Sequence, residues 1–290
     1  MQDNVLRVRE VFIFKNLKFK INRNMLTMRY CMMMLIMALM MSVSAINAQD
    51  APTAAGTYNE GLAMLKSKEY EGGLAKMEMA LELAMSSENE QIIGLSKKNG
   101  AVAAYNLGNA KRKAGDHDGA IALYNKGIEL NPSYSSNYEG IGRAEEAKGD
   151  KVAAVNSYIM AAKKANEEGK ADKVTSRYKK AEVLIGKTYV SKDYDTAISM
   201  AEAYNADAPA NADVNYYLSR SFGAMEKYTE GIAAMRKAVE IKGGAVPDKY
   251  TFYLAEQLEK SGNGAEAKTL YSKVTEEKYK AQATYRASQL

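Results

Sequence analysis

Residues 101–134 read AVAAYNLGNAKRKAGDHDGAIALYNKGIELNPSY, and the spacing of small and apolar residues in this stretch decides the fold. Ala104, Leu107, Gly108 and Lys111 fall at i, i+3, i+4 and i+7; after a break, Ala120, Ile121, Tyr124 and Ile128 again share one helical face. This periodicity predicts two amphipathic helices. Ala114-Gly115-Asp116 supplies the turn between them, glycine taking a positive φ at the end of the first helix and aspartate capping the second. Asn131-Pro132 stops the second helix, because proline cannot extend the hydrogen-bond ladder. Gly108 inside a helix costs about 1 kcal/mol relative to alanine, so close approach of the partner helix is expected to offset that loss.

The same unit recurs along the chain. A copy at about 54–87 carries Gly61, Tyr70, Gly73, Met77 and Ala80, and one at about 135–168 carries Tyr138, Ile141-Gly142, Gly149-Asp150, Ala154, Tyr158 and Ala161. A fourth has Ile185-Gly186, Tyr189, Asp193-Tyr194, Ala197-Ile198, Ala201, Tyr204 and Pro209, with an inter-helix turn that reads one residue short. Leu218, Phe222, Tyr228, Gly231-Ile232, Met235 and Ala238 mark a fifth, and Leu254, Leu258, Gly262, Ala267, Tyr271 and Val274 a sixth at about 248–281. Each hairpin exposes an apolar face that only its neighbour covers, so about three copies are the minimum for a stable stack. The predicted organisation is repeats 1–3 over 49–168, a linker or hinge at 169–177, and repeats 4–6 over 178–290. A helix with Tyr279, Ala283 and Ala287 on one face seals the last hairpin, and a further insert interrupts the array around 86–100.

The period of about 34 residues and the order of small and aromatic positions resemble the tetratricopeptide repeat family. Ala104, Leu107-Gly108, Gly115-Asp116, Ala120, Tyr124 and Pro132 stand in the family's places, whereas Lys111 and His117 replace aromatics and Gly127 replaces alanine. The resemblance implies an all-α, right-handed superhelical solenoid of about six hairpins with a C-terminal capping helix. It also implies a non-enzymatic scaffold that binds a peptide or protein in a concave groove lined by the first helix of each hairpin. The groove positions one place after the helix glycine hold Leu62, Asn109, Arg143, Lys187, Arg220 and Glu256; four residues earlier stand Tyr58, Tyr105, Glu139, Val183, Tyr216 and Phe252. Tyr105, Asn109, Arg143, Lys187, Tyr216, Arg220 and Phe252 are therefore the expected binding residues, with arginines able to pair with carboxylates of an acidic partner. The Lys and Asn clamp with which some family members hold chaperone tails is not reproduced, since Tyr105 occupies the place of its first lysine. A regulatory or binding subunit of an envelope enzyme is the alternative role.

At the front, CMMMLIMALMMSVSA at 31–45 is an uncharged run preceded by Arg29 and followed by small residues. It is shorter than the roughly 20 residues that span a bilayer and has the layout of a secretory signal peptide. Residues 1–48 are thus expected to be a leader, cleaved after Ala48 or alternatively after Ala45, with an uncleaved anchor as the competing reading. Residues 1–27 read as an extension upstream of a true start at Met25 or Met28. The chain beyond residue 48 carries 33 Lys and Arg against 33 Asp and Glu, so the net charge of +5 belongs to the leader. That balance gives no support for a nucleic-acid partner. Export to the periplasm or envelope, without membrane insertion after cleavage, follows from the leader.

Chemistry-bearing residues are sparse. His117 is the only histidine and stands at a packing position, while Cys31, the only cysteine, leaves with the leader, so neither a His/Cys zinc site nor a Cys–His pair can be assembled. Gly186-Lys187-Thr188 resembles the end of a phosphate-binding loop, but Ala181 stands where that loop needs glycine. No catalytic residue, metal or cofactor is expected. Asp195-Thr196-Ala197 matches a short acceptor pattern for O-linked sugars.

Overall fold

Turns cut the chain into helices where the spacing predicts them. The computed structural model describes residues 52–290 apart from Ala245; the expected leader lies outside the described residues. Among these residues are thirteen helices and no strand. In chain order they are α1 (Ala54–Lys66), α2 (Tyr70–Ser86), α3 (Glu90–Lys113), α4 (His117–Leu130), α5 (Ser135–Lys148), α6 (Lys151–Glu167) and α7 (Ala171–Val190). They continue with α8 (Tyr194–Asp207), α9 (Ala212–Ala224), α10 (Tyr228–Lys242), α11 (Asp248–Lys260), α12 (Gly264–Tyr271) and α13 (Glu277–Gln289). Odd-numbered helices open the hairpins, even-numbered helices close them, and α13 packs on the last pair. The result is an all-α helical repeat fold.

Capping follows the local chemistry. Asp116 accepts a hydrogen bond from the Gly119 amide (2.9 Å) to start α4, and Asp150 accepts from Ala153 (3.2 Å) to start α6. Gly115 and Gly149 sit at φ of 86° and 88° at the preceding turns. The α7–α8 turn is not short. Ser191, Lys192 and Asp193 fill it as Ala114, Gly115 and Asp116 fill its counterpart, with Lys192 forced to φ 64° where glycine would be relaxed.

Three helix glycines, Gly108, Gly140 and Gly142, are explained by tyrosines from the neighbouring even helix. The buried Tyr124 ring of α4 lies between α3 and α5 so closely that a Cβ added at Gly108 or at Gly140 would stand 2.5 Å from it. Tyr158 of α6 does the same to Gly142, at 2.9 Å. Burying one large ring contributes about 1.5–3 kcal/mol, more than the roughly 1 kcal/mol that a helical glycine costs.

Both expected inserts fold as helix. Residues 90–100 are the first half of α3, which reaches 24 residues, and Ile92 packs there against Tyr58, Met77, Ala80 and Ala84. In the expected hinge at 169–177, only Gly169 and Lys170 lie outside helices. Residues 171–177 start α7, and Arg177 is 1% exposed, its Nη1 donating to the Ala161 carbonyl at 3.1 Å. An anchored side chain of this kind is incompatible with a flexible joint. The repeat is irregular here in another way: α1 packs on α3, α3 on α5 and α7 on α9, but α5 and α7 make no comparable backbone approach, and α6 packs on α8.

Gly142→Leu is expected to destabilise the array by about 1–3 kcal/mol, since the added side chain meets both the Tyr158 ring and the Ala154 carbonyl. Chemical denaturation checks this; an unchanged midpoint would contradict the close packing.

Candidate functional site

The odd helices carry the residues that the repeat register singles out, and the structure treats them unequally. Asn109 accepts a hydrogen bond from the Tyr124 hydroxyl at 2.9 Å, so it supports the packing ring. Tyr105 leans against Tyr124 and Tyr134, with ring centroids 6.0 Å away in each case. Arg220 is not a free cation: its Nη1 lies 2.6 Å from Glu256, its guanidinium 3.7 Å from the centre of the Tyr253 ring, and its Nε donates to the Tyr189 hydroxyl at 3.2 Å. Arg286 of α13 approaches the other oxygen of Glu256 at 3.1 Å. Tyr216 is half-buried among Tyr217, Tyr250 and Tyr253. Phe252 departs most from expectation. It is 2% exposed, packed against Tyr271 and Tyr279, and belongs to the core rather than to a binding face.

Arg143 and Lys187 come together at the irregular α5–α7 junction. They line a cavity of about 420 Å³ with Lys179, Lys180, Ser176, Val183 and Leu184 of α7, Glu146 of α5 and the Tyr158 ring of α6. Lys187 is exposed and makes no ion pair among the described residues. The phosphate-loop resemblance at 186–188 is mid-helix, with Gly186 making room for the Tyr217 ring of α9.

Beside the cavity, Glu139 ties α5 to α7. Arg143 reaches it at 2.5 Å, Lys180 at 2.9 Å and the buried Arg177 at 3.0 Å. Burial alone would raise its carboxyl pKa, but the hydrogen bonds from Lys180 and Arg177 and the charges of Arg143 and Lys180 outweigh that and hold it at about 2, against an ordinary 4.5. On the cavity wall the Tyr158 hydroxyl donates to Glu146 at 2.6 Å; burial, then this bond, raises the phenol pKa far above its usual range.

The register alone could not reveal Glu139 as the junction's counter-ion or Lys179 and Lys180 as cavity walls. One signal was present: Lys180 and Lys187 are separated by two helical turns and share a face. Thr196 sits half-buried in the first turn of α8, beside the Asp193 carboxylate whose pKa it helps to lower. Among the described residues no group of His, Cys, Asp and Glu is placed to hold a metal, and no helix is long and apolar enough to cross a membrane.

Residues 101–134 match the family model of the tetratricopeptide repeat. Among curated proteins, anaphase-promoting complex subunit 3 of Schizosaccharomyces pombe is 30% identical over 157 residues, covering 54% of this chain and 22% of that protein. The chain thus spans about a fifth of the length of this relative. Among solved structures, MamA (41-end) from Desulfovibrio magneticus RS-1 is 23% identical, covering 60% of this chain and 92% of that one at a TM-score of 0.33. YrrB, described as a TPR protein with an unusual peptide-binding site, is 15% identical over 66% and 92% of the two chains at a TM-score of 0.37. TTC0263, a thermophilic TPR protein of Thermus thermophilus, is 16% identical over 82% and 98% at a TM-score of 0.29. Tetratricopeptide repeat proteins are protein-interaction scaffolds, and their fold is typical of non-enzymatic ones.

Removing the Glu139 carboxylate leaves the buried Arg177 without its counter-ion, so Glu139→Ala is expected to cost about 3 kcal/mol. The pH dependence has a fixed sign. A depressed carboxylate pKa contributes stability that is fully present above about 4.5 and is lost as pH falls toward about 2. Melting curves across that interval should show a wild-type loss that the variant lacks. Identical pH profiles would contradict the assignment.

Proposed function

We propose that the chain is an exported, non-enzymatic scaffold that binds an acidic segment of a partner protein on the face formed by its odd-numbered helices, centred on the α5–α7 cavity. The observation that carries this reading is the wall of that cavity: Arg143, Lys179, Lys180 and Lys187 line it with Glu146, and although Glu139 pairs with Arg143 and Lys180, and Glu182 with Lys179, Lys187 has no ion pair among the described residues. Farther along the same face the charges neutralise one another, Arg220 with Glu256 and Arg286 with Glu256. Net cationic character is therefore local, in a chain that is neutral beyond its leader. An extended acidic segment laid across the first helices places its carboxylates against the ammonium groups of α7. The apolar run at 31–45 with small residues after it supports export into the cell envelope, where the chain beginning at Gln49 would meet its partner.

The test uses a fluorescein-labelled hexaglutamate peptide and the double variant Lys179→Glu with Lys187→Glu, chosen because both side chains are exposed, neither holds Glu139, and Lys179 gives up only a solvent-facing pair with Glu182. Wild-type binding should weaken as salt rises. The variant should lose binding while keeping its helicity and its melting temperature, since exposed substitutions usually stay within about 0.5 kcal/mol. Equal binding by wild type and variant would refute the site. Export is checked by N-terminal sequencing of the protein from its native host, where a first residue other than Gln49 or Ile46, or a retained Cys31, would contradict cleavage.

A further inference from the structure

The chain holds within itself the template for what fills this cavity. The residue two places before the small residue of the first helix is Leu184 in α7, Tyr217 in α9 and Tyr253 in α11. Tyr217 fills the space over Gly186 and lies 5.7 Å from Tyr189, closing the gap between α7 and α9. Tyr253 lies under the Arg220 guanidinium and closes the gap between α9 and α11. Arg143 of α5 is the register equivalent of Arg220, one place after the small residue. Its neighbour in the Tyr253 position is the shorter Leu184, and an open cavity lies between the two helices.

Resting on the acidic-segment reading above, we infer that the α5–α7 cavity is a pocket for an aromatic side chain of the partner, which lies against Arg143 as Tyr253 lies against Arg220, with the partner's flanking carboxylates on Lys179 and Lys187. The floor suits a ring: Leu184 is apolar and the Tyr158 ring lies beside it. The walls suit anions. A volume of about 420 Å³ admits one aromatic side chain and part of its backbone. The recognised element is thus a tyrosine or phenylalanine within an acidic run, rather than acidity alone.

Two fluorescein-labelled peptides, Glu-Glu-Tyr-Glu-Glu and Glu-Glu-Ala-Glu-Glu, separate this inference from the reading beneath it. The full chain should bind the tyrosine peptide about tenfold more tightly, the scale of a partly desolvated cation–π contact. Leu184→Tyr, which copies the chain's own solution at Tyr253, should abolish that preference. Because Leu184 is buried, Val183→Trp serves as a second filling variant from a wall position that is 41% exposed; circular dichroism and melting confirm that each variant folds. Equal affinities of the two peptides for the wild type, or a tenfold preference that survives in the folded filling variants, would overturn the pocket while sparing the acidic groove. Failure of both peptides to bind would overturn the acidic-segment reading and this inference with it.

Discussion

The centre of the array depends on one contact, an even-helix tyrosine ring laid on glycine-bared backbone of the odd helices α3 and α5. Tyr124 meets Gly108 on one side and Gly140 on the other, so a single buried ring fixes the separation of two hairpins as well as of two helices. Tyr158 repeats the contact on Gly142, and its hydroxyl is satisfied by Glu146, as that of Tyr271 is by Glu259. A ring buried in this way needs a polar neighbour at its tip, and the first helix supplies it. Regularity is therefore built from pairs of residues that lie close in sequence.

Where that regularity breaks, long-range charge takes over. Between α5 and α7 the backbone separates and Glu139, paired with Arg143 on its own helix, gathers Arg177 and Lys180 across the gap. The arrangement is firm without being tightly packed, which is what a binding cavity in a solenoid requires. It also explains why the cations of this face are not equivalent. Arg143 and Lys180 are committed to Glu139, Arg220 to Glu256 and Tyr253, and Lys187 points outward with no such commitment.

The hairpins were legible in the sequence because glycine, tyrosine and turn aspartates recur at fixed offsets, and each offset reports a local contact. The burial of Phe252 was not legible, because it depends on Tyr279 of the capping helix, which the repeat register does not describe. The pairing of Arg220 with Glu256 joins residues on different helices, and nothing in either helix alone announces it. The stretch 169–177, rich in charge and bounded by Gly169, has the composition of a linker; its helical form rests on the burial of Arg177, a tertiary contact that overrides composition. The open cavity was legible only in retrospect, as a leucine at 184 where the following repeats carry tyrosine.

A photo-crosslinking amino acid introduced at Val183, on the cavity wall, and separately at exposed Met79 on the even helix α2, tests most directly where a partner sits. Irradiation in the native host is predicted to give a partner adduct from position 183 and none from position 79. An adduct from position 79 with none from position 183 would place recognition on the opposite helices and contradict the account.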